Sequence, residues 1–128
     1  MSHITKVKTQ LKDGQVLRDA LRNIDYGIRE EGSISSSYSP GRRKAVEFVA
    51  VKRGRNIGFR RSECEGGFYE MLADWQVMKR SKKDISNEIF QAYSCKKVIQ
   101  TARRKGYSVI QNKINRAGQV EILLRKVA

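Results

Sequence analysis

Hydrophobic positions along the chain switch between a two-residue and a 3.6-residue period, and those switches mark its elements. His3 to Leu11 predicts a first strand, with Val7, Thr9 and Leu11 on one face. Asp13 follows as a helix N-cap, its carboxylate able to accept from a free backbone N–H. Leu17, Ala20, Leu21 and Ile24 then fall at i, i+3, i+4 and i+7, the spacing of a buried stripe. Asp25 to Gly27 ends this helix, and Ile28 to Glu31 predicts a short second strand. Gly32 to Gly41 (GSISSSYSPG) has too little apolar area to stay rigid and reads as a mobile surface loop.

Lys44 to Lys52 is the clearest strand. Val46, Phe48 and Ala50 share one face and Ala45, Glu47, Val49 and Val51 the other, so both faces are largely apolar and the strand belongs in the middle of a sheet. Gly54-Arg55-Asn56 turns the chain into a hairpin of Asn56–Arg61 and Phe68–Leu72, with Glu65-Gly66-Gly67 supplying the positive-φ positions of its turn. After Trp75 comes a basic connection without a strong period. A second helix is predicted from Asp84 to Lys105, with Ile85, Ile89, Ala92, Ile99 and Ala102 on one arc. Gly106 suits the left-handed position past its end, and Arg103-Arg104-Lys105 lie where the helix dipole favours cations. Tyr107–Asn115 and Gln119–Lys126 make a last pair of strands around Arg116-Ala117-Gly118. The alternation of Val120, Ile122 and Leu124 predicts one buried face there.

This order predicts an α+β fold: an antiparallel sheet with two helices on one face, ferredoxin-like with extra strands. The other sheet face is left to solvent or to a partner. No internal repeat appears, and 128 residues fit a single domain, 1–128, that can bury a core without staples.

Charge changes the picture. The net charge is +14, and it is concentrated: residues 40–61 carry +7, residues 79–83 carry +4 and residues 96–105 carry +5, leaving the remainder slightly acidic. Such concentration attracts nucleic acid, anionic lipid or an acidic protein face, and charge alone does not choose among them. No stretch has the length of a transmembrane helix, and the Met1-Ser2-His3 start lacks the apolar region of a signal peptide. The expected setting is a cytoplasm-like compartment with no membrane partner. Cys64 and Cys95 lie in no paired spacing and His3 is the one histidine, so no metal site, disulfide or cofactor is expected. Glu30 and Glu31 are adjacent, so on a strand they point to opposite faces. No phosphate-cradling glycine loop or nucleophile elbow occurs, so no catalytic residue is assigned and the protein is expected not to be an enzyme.

The candidate site is a basic hairpin surface. Arg42, Arg43, Lys44, Lys52, Arg53, Arg55, Arg60 and Arg61 would track phosphates, extended by Lys79, Arg80, Lys82 and Lys83 and by Lys97 and Arg104 of the second helix. Arginine forks hold phosphate oxygens bidentately, and each neutralised phosphate releases counterions. The competing reading is a solvated, charged strand edge that blocks aggregation. Phe48, Phe59, Phe68 and Tyr69 lie near enough to stack bases, yet most alternate at core spacing and are assigned to packing. Phe90 projects on the side of the Lys97, Thr101 and Arg104 stripe and is a contact candidate.

Several of these residues also carry a family likeness. Met1-Ser2-His3 with Lys6-Val7-Lys8-Thr9, the Ile57-Gly58-Phe59-Arg60 strand, Tyr69-Glu70, Asp74-Trp75, Tyr93 with Lys96, Gly106-Tyr107 and Val120-Glu121-Ile122 together resemble the family of hypothetical chloroplast reading frame thirty-five. The likeness spans nearly the whole chain. It implies a small protein of a plastid stroma or bacterial cytoplasm, and it implies no reaction and no site residues. It also implies less basic relatives, so Arg42, Arg43, Arg53, Arg61 and Arg103 read as particular to this chain. The expected function is nucleic-acid binding, RNA before DNA. The alternative is a protein-interaction module or homodimer subunit that uses the free sheet face, its charge serving solubility.

Overall fold

The structure, a computed structural model, describes residues 4–36, 39–62, 66–78, 80–114, 116 and 119–126; of residues 31, 33–36, 39–44, 77, 114 and 120 it describes the backbone alone. The elements are β1 (Thr5–Lys8), α1 (Gly14–Asn23), β2 (Gly27–Ser36), β3 (Ser39–Lys52), β4 (Arg55–Arg61), β5 (Tyr69–Ala73), a 3-10 turn (Trp75–Val77), α2 (Lys82–Arg104), β6 (Tyr107–Ile114) and β7 (Val120–Lys126). The α+β class is the one the pattern predicts. Five strands form a sheet of order β1-β5-β4-β3-β2, and β6 and β7 form a separate pair. All pairings are antiparallel. A ferredoxin-like layout would return the strand after the second helix to the main sheet; here β6 pairs with β7, and β2 to β5 make a meander closed by β1 at one edge.

Local chemistry explains the helix ends. Asp13 Oδ1 accepts from the backbone N–H groups of Gln15 and Val16, both at 3.1 Å. The Val16 bond is the main reason its carboxyl is held below the usual range. Helix α2 begins two residues before the expected Asp84, because Ser81 Oγ accepts from Asp84 N at 3.1 Å and sets the cap there. Gly106 takes a φ of 86°, as its place past the helix end requires. Ile85, Ile89 and Ala102 are buried, while Ala92 and Ile99 are half-buried.

Both helices lie on one face of the sheet. Leu17 and Leu21 of α1 and Ile85 and Ile89 of α2 pack in one cluster with Phe48, Ile57, Phe59, Tyr69 and Met71. Phe48 and Phe59 stack with centroids 5.0 Å apart, and Tyr69 meets Phe48 edge-on at 5.9 Å. The turn between β3 and β4 is Arg53-Gly54, one residue earlier than predicted, with φ values of 50° and 81° and Lys52 facing Arg55. Positive φ at both central positions suits a two-residue hairpin.

Two predicted segments are corrected. The first strand is shorter, since β1 ends at Lys8 and His3 lies outside the described residues. Thr9 N and Leu11 O still bond Tyr69, at 3.2 and 2.8 Å, so the chain leaves the sheet edge gradually. The larger correction is within Gly32–Gly41, whose described residues, 32–36 and 39–41, belong to a paired ribbon rather than a loop, residues 37 and 38 lying outside the described residues. Strand β2 runs on to Ser36 and β3 starts at Ser39, with Ile34 facing Lys44 and Ser36 facing Ser39. Serine-rich composition disfavours burial but does not prevent main-chain pairing when a partner strand supplies every bond. Because β3 meets β4 only from Phe48 to Lys52, its earlier residues pair with β2 alone.

This ribbon curls over the second face of the sheet. Strand β2 approaches β4 and β5 as well as β3, which a flat sheet forbids because strands stand about 5 Å apart. A Cβ on Gly32 would sit 3.2 Å from Val49 Cγ2. Val46, Val49 and Leu72 form a second, smaller buried cluster there. The face that the pattern leaves to solvent or a partner is therefore partly covered by the chain itself. The β6–β7 pair is less buried than its alternation predicts. Ile122 and Leu124 are half-buried, but Ile110 and Leu123 are 54% and 52% exposed beside a bulge between Val109 and Gln111.

Candidate functional site

The eight cations of the basic hairpin part company in the fold. Lys52 Nζ donates to Ile24 O at 2.8 Å, satisfying a carbonyl at the end of α1, and lies 5.2 Å from the Tyr26 ring centroid and 3.9 Å from Glu88. Arg55 is half-buried beside Tyr26. The Tyr26 hydroxyl is pushed up by burial, and the Arg55 charge draws it part of the way back. Arg61 donates to Gly67 O at 2.7 Å and to Lys12 O at 3.1 Å, and its guanidinium lies over the Tyr69 ring. Arg53 is exposed in its turn. Arg60 is on the second face, 3.9 Å from Glu70. Arg42, Arg43 and Lys44 sit on the ribbon, their side chains outside the described residues.

The remaining predicted cations lie on α2 and its approach. Lys79 is outside the described residues. Arg80 bonds Glu88, which raises its pKa. Lys82 and Lys83 are exposed in the first turn of α2, Lys97 Nζ is 3.2 Å from the capping Asp13, and Arg104 is exposed in the last turn. About 30 Å of helix separates Lys82 from Arg104, and α2 covers the face opposite Arg60. Among the described residues, the three basic stretches form no single surface.

The fold instead assembles a cleft that includes two lysines outside the predicted set. Cross-strand partners share a sheet face, and Lys6 faces Leu72, Lys8 faces Glu70, and Arg60 faces Glu70. Lys6, Lys8 and Arg60 therefore surround Glu70 on the second face. Glu70 is only 5% exposed, with Lys6 Nζ at 3.4 Å from its carboxylate. The cleft, about 620 Å³, is completed by Glu47, Arg61 and the ribbon residues Ala45 and Val46. Arg61 is engaged by two carbonyls and Glu47 by Arg18, which leaves Lys6, Lys8 and Arg60 around Glu70, so the lining stays cationic. The signal lies in Thr5-Lys6-Val7-Lys8: an inward Val7 turns both lysines to the other face.

Beside it lies a fixed polar network. Glu47 accepts from the Tyr69 hydroxyl and, at 3.3 Å, from Arg18 Nη2. Arg18 also donates from Nε to Glu30 at 2.9 Å and lies over the Phe48 ring. Burial first, then the Glu47 bond, pushes the Tyr69 hydroxyl up to about 12. Gly14 makes room for it, because a Cβ there would stand 2.3 Å from Tyr69 Oη.

Phe90 is half-buried against the main core and lines a separate groove of about 660 Å³ with Phe68, Tyr93, Lys8 and Leu11. The Tyr93 hydroxyl accepts from Asp13 N at 3.0 Å, which fixes its ring. Lys12 Nζ is 5.9 Å from the Phe68 centroid. Phe48, Phe59 and Tyr69 are fully buried, the packing role assigned to them, whereas Phe68 is half-buried at the groove. Cys95 Sγ lies 3.4 Å from Asn112 Nδ2, and Cys64 is outside the described residues. No group of three or more metal-ligating side chains occurs among the described residues. No described helix is long and apolar enough to cross a membrane.

The model of a family described as "Protein of unknown function (DUF1257)" matches residues 20–123. The chain is 23% identical over 128 residues to "Uncharacterized protein ycf35" of Guillardia theta, 22% over 130 residues to that of Cyanophora paradoxa and 20% over 128 residues to that of Pyropia yezoensis. Each of these alignments covers 98% of both chains. No solved structure matches the chain.

Proposed function

That family match takes in well over half of the chain, which therefore belongs to the DUF1257 family, and we propose that this member is a non-enzymatic protein that binds nucleic acid, RNA in preference to DNA. The observation that carries the proposal is the cationic cleft of Lys6, Lys8 and Arg60 around Glu70, bordered by Ala45 and Val46 of the ribbon, whose sequence adds Arg42, Arg43 and Lys44. Buried Glu70 lies 3.4 Å from Lys6 and 3.9 Å from Arg60, and this one acid draws both cations to the cleft, where a phosphate would meet them together. The setting that suits this role is a bacterial cytoplasm or a plastid stroma. Binding of this kind depends on counterion release and falls steeply with salt. Fluorescence anisotropy with a labelled single-stranded RNA, titrated across salt concentrations, tests it. The double variant Lys6→Gln with Lys8→Gln should weaken binding and flatten the log–log salt slope by about 0.7 for each phosphate left without its lysine. Absence of binding at low salt would overturn the proposal.

A second reading follows from β2. Its ten residues pair with β3 alone among the described strands, leaving a long open edge. Such an edge is a template for pairing with a second copy. Light scattering decides: a dimer that persists in high salt favours edge pairing, and a monomer at all concentrations removes it.

A further inference from the structure

We infer that the Phe68–Phe90–Tyr93 groove receives an unstacked base of a single-stranded nucleic acid, an assignment that rests on the nucleic-acid reading above. Three rings converge on one groove of about 660 Å³, within the range of pockets that hold small organic groups. Each ring is half-buried, so it is held from behind and offers part of its surface to the groove. Phe90 packs into the main core. The Tyr93 hydroxyl is engaged by the backbone N–H groups of Asp13 and Lys12, at 3.0 and 3.5 Å. The platform is therefore set before any ligand arrives, which limits the ordering cost of binding.

Charge selects the occupant. Lys8 lines the groove and Lys12 stands over Phe68, so an apolar site carries a cationic rim, the complement of a base attached to phosphate. The same Lys8 also lines the cleft of Lys6 and Arg60. A strand whose phosphates lie in that cleft reaches the groove by crossing β1 at Lys8, the edge of the sheet. Gln10 and Ser94 supply polar groups around the rings for the edge of a base. Stacking on aromatic rings is tolerant of sequence and is open only to bases outside a duplex.

The test uses the full chain with a labelled single-stranded oligonucleotide and its duplex, plus a single strand containing 2-aminopurine. Phe68→Leu and Phe90→Leu, which keep an apolar side chain, should each weaken single-strand binding roughly 5- to 100-fold. Their salt slope and their duplex affinity should match the parent protein. In the unmodified protein the 2-aminopurine emission should change on binding, a readout that does not depend on any variant folding. Equal affinity for single strand and duplex, with no change in emission, overturns the groove assignment. If Lys6→Gln with Lys8→Gln still weakens binding in that case, the cleft reading survives. No binding of any oligonucleotide at low salt, including the outcome that an acidic peptide binds instead, overturns both.

Discussion

On the helix-covered face of the sheet, Lys52 and Arg61 bond carbonyls of their own chain and Arg18 pairs with two carboxylates. On the ribbon-covered face, Lys6, Lys8 and Arg60 gather around one buried acid, Glu70. The residue types are alike and the consequence is not. On the first face each cation is already engaged by a carbonyl or carboxylate of its own chain, so it belongs to the framework. On the second, cations outnumber the acids available to them, and an anion from outside can use what is left over. The density of basic residues along the chain does not distinguish these fates; the cross-strand neighbour does.

The sharpest way to break this comparison is to weaken one face at a time. Phe59 is fully buried between Phe48 and the two helices. Phe59→Ala should cost about 3–5 kcal/mol in a denaturant unfolding curve. Leu72→Ala removes a smaller side chain from the smaller cluster with Val46 and Val49 and should cost less. If Leu72→Ala proves the more damaging, the ribbon-covered face is the principal core, and the division of labour between the faces is reversed.

A second, smaller effect probes the polar network on the helix-covered side. The Tyr69 hydroxyl is pushed up to about 12 from an ordinary value of 10.0, so the folded state holds the neutral form more firmly than the unfolded chain does. Its contribution is fully present below pH 10 and is lost as pH rises from 10 through 12. The loss is about 3 kcal/mol at most. Thermal melts across that range should fall more steeply for the parent protein than for Tyr69→Phe, which has no such proton to lose. Equal slopes would show that Glu47 and Arg18 hold their positions without the Tyr69 hydroxyl.

What can be read from the chain follows the range of the interactions. The Asp13 cap bonds residues two and three positions on, and the buried stripe of α1 and the apolar faces of β3 are local periodicities. All are visible in the sequence. The fates of the cations are not, because Lys52 reaches a carbonyl 28 residues away and Arg61 one 49 residues away. The ribbon escapes for a related reason. Its composition describes each strand alone, and the strand state comes from pairing. The Phe90 groove needs both, since Phe90 comes from α2 and its other wall from residues 8–11. Lys8 is legible, but its alternation with Val7 is masked by the louder charge of residues 40–61.

Lys8 also gives the finest test of the comparison, and the effect on stability should be the smallest. It is exposed on the edge strand and faces Glu70, whose carboxylate already has Lys6 at 3.4 Å and Arg60 at 3.9 Å. Removing its charge leaves that acid paired, so Lys8→Gln should change unfolding free energy by no more than about 0.5 kcal/mol. Because Lys8 borders both the cleft and the aromatic groove, the same substitution should weaken single-stranded RNA binding and lower its salt slope by about 0.7. A stability loss above about 1 kcal/mol with binding unchanged would put Lys8 with Arg61 among the framework cations. The two faces would then differ in what covers them but not in what their charges do.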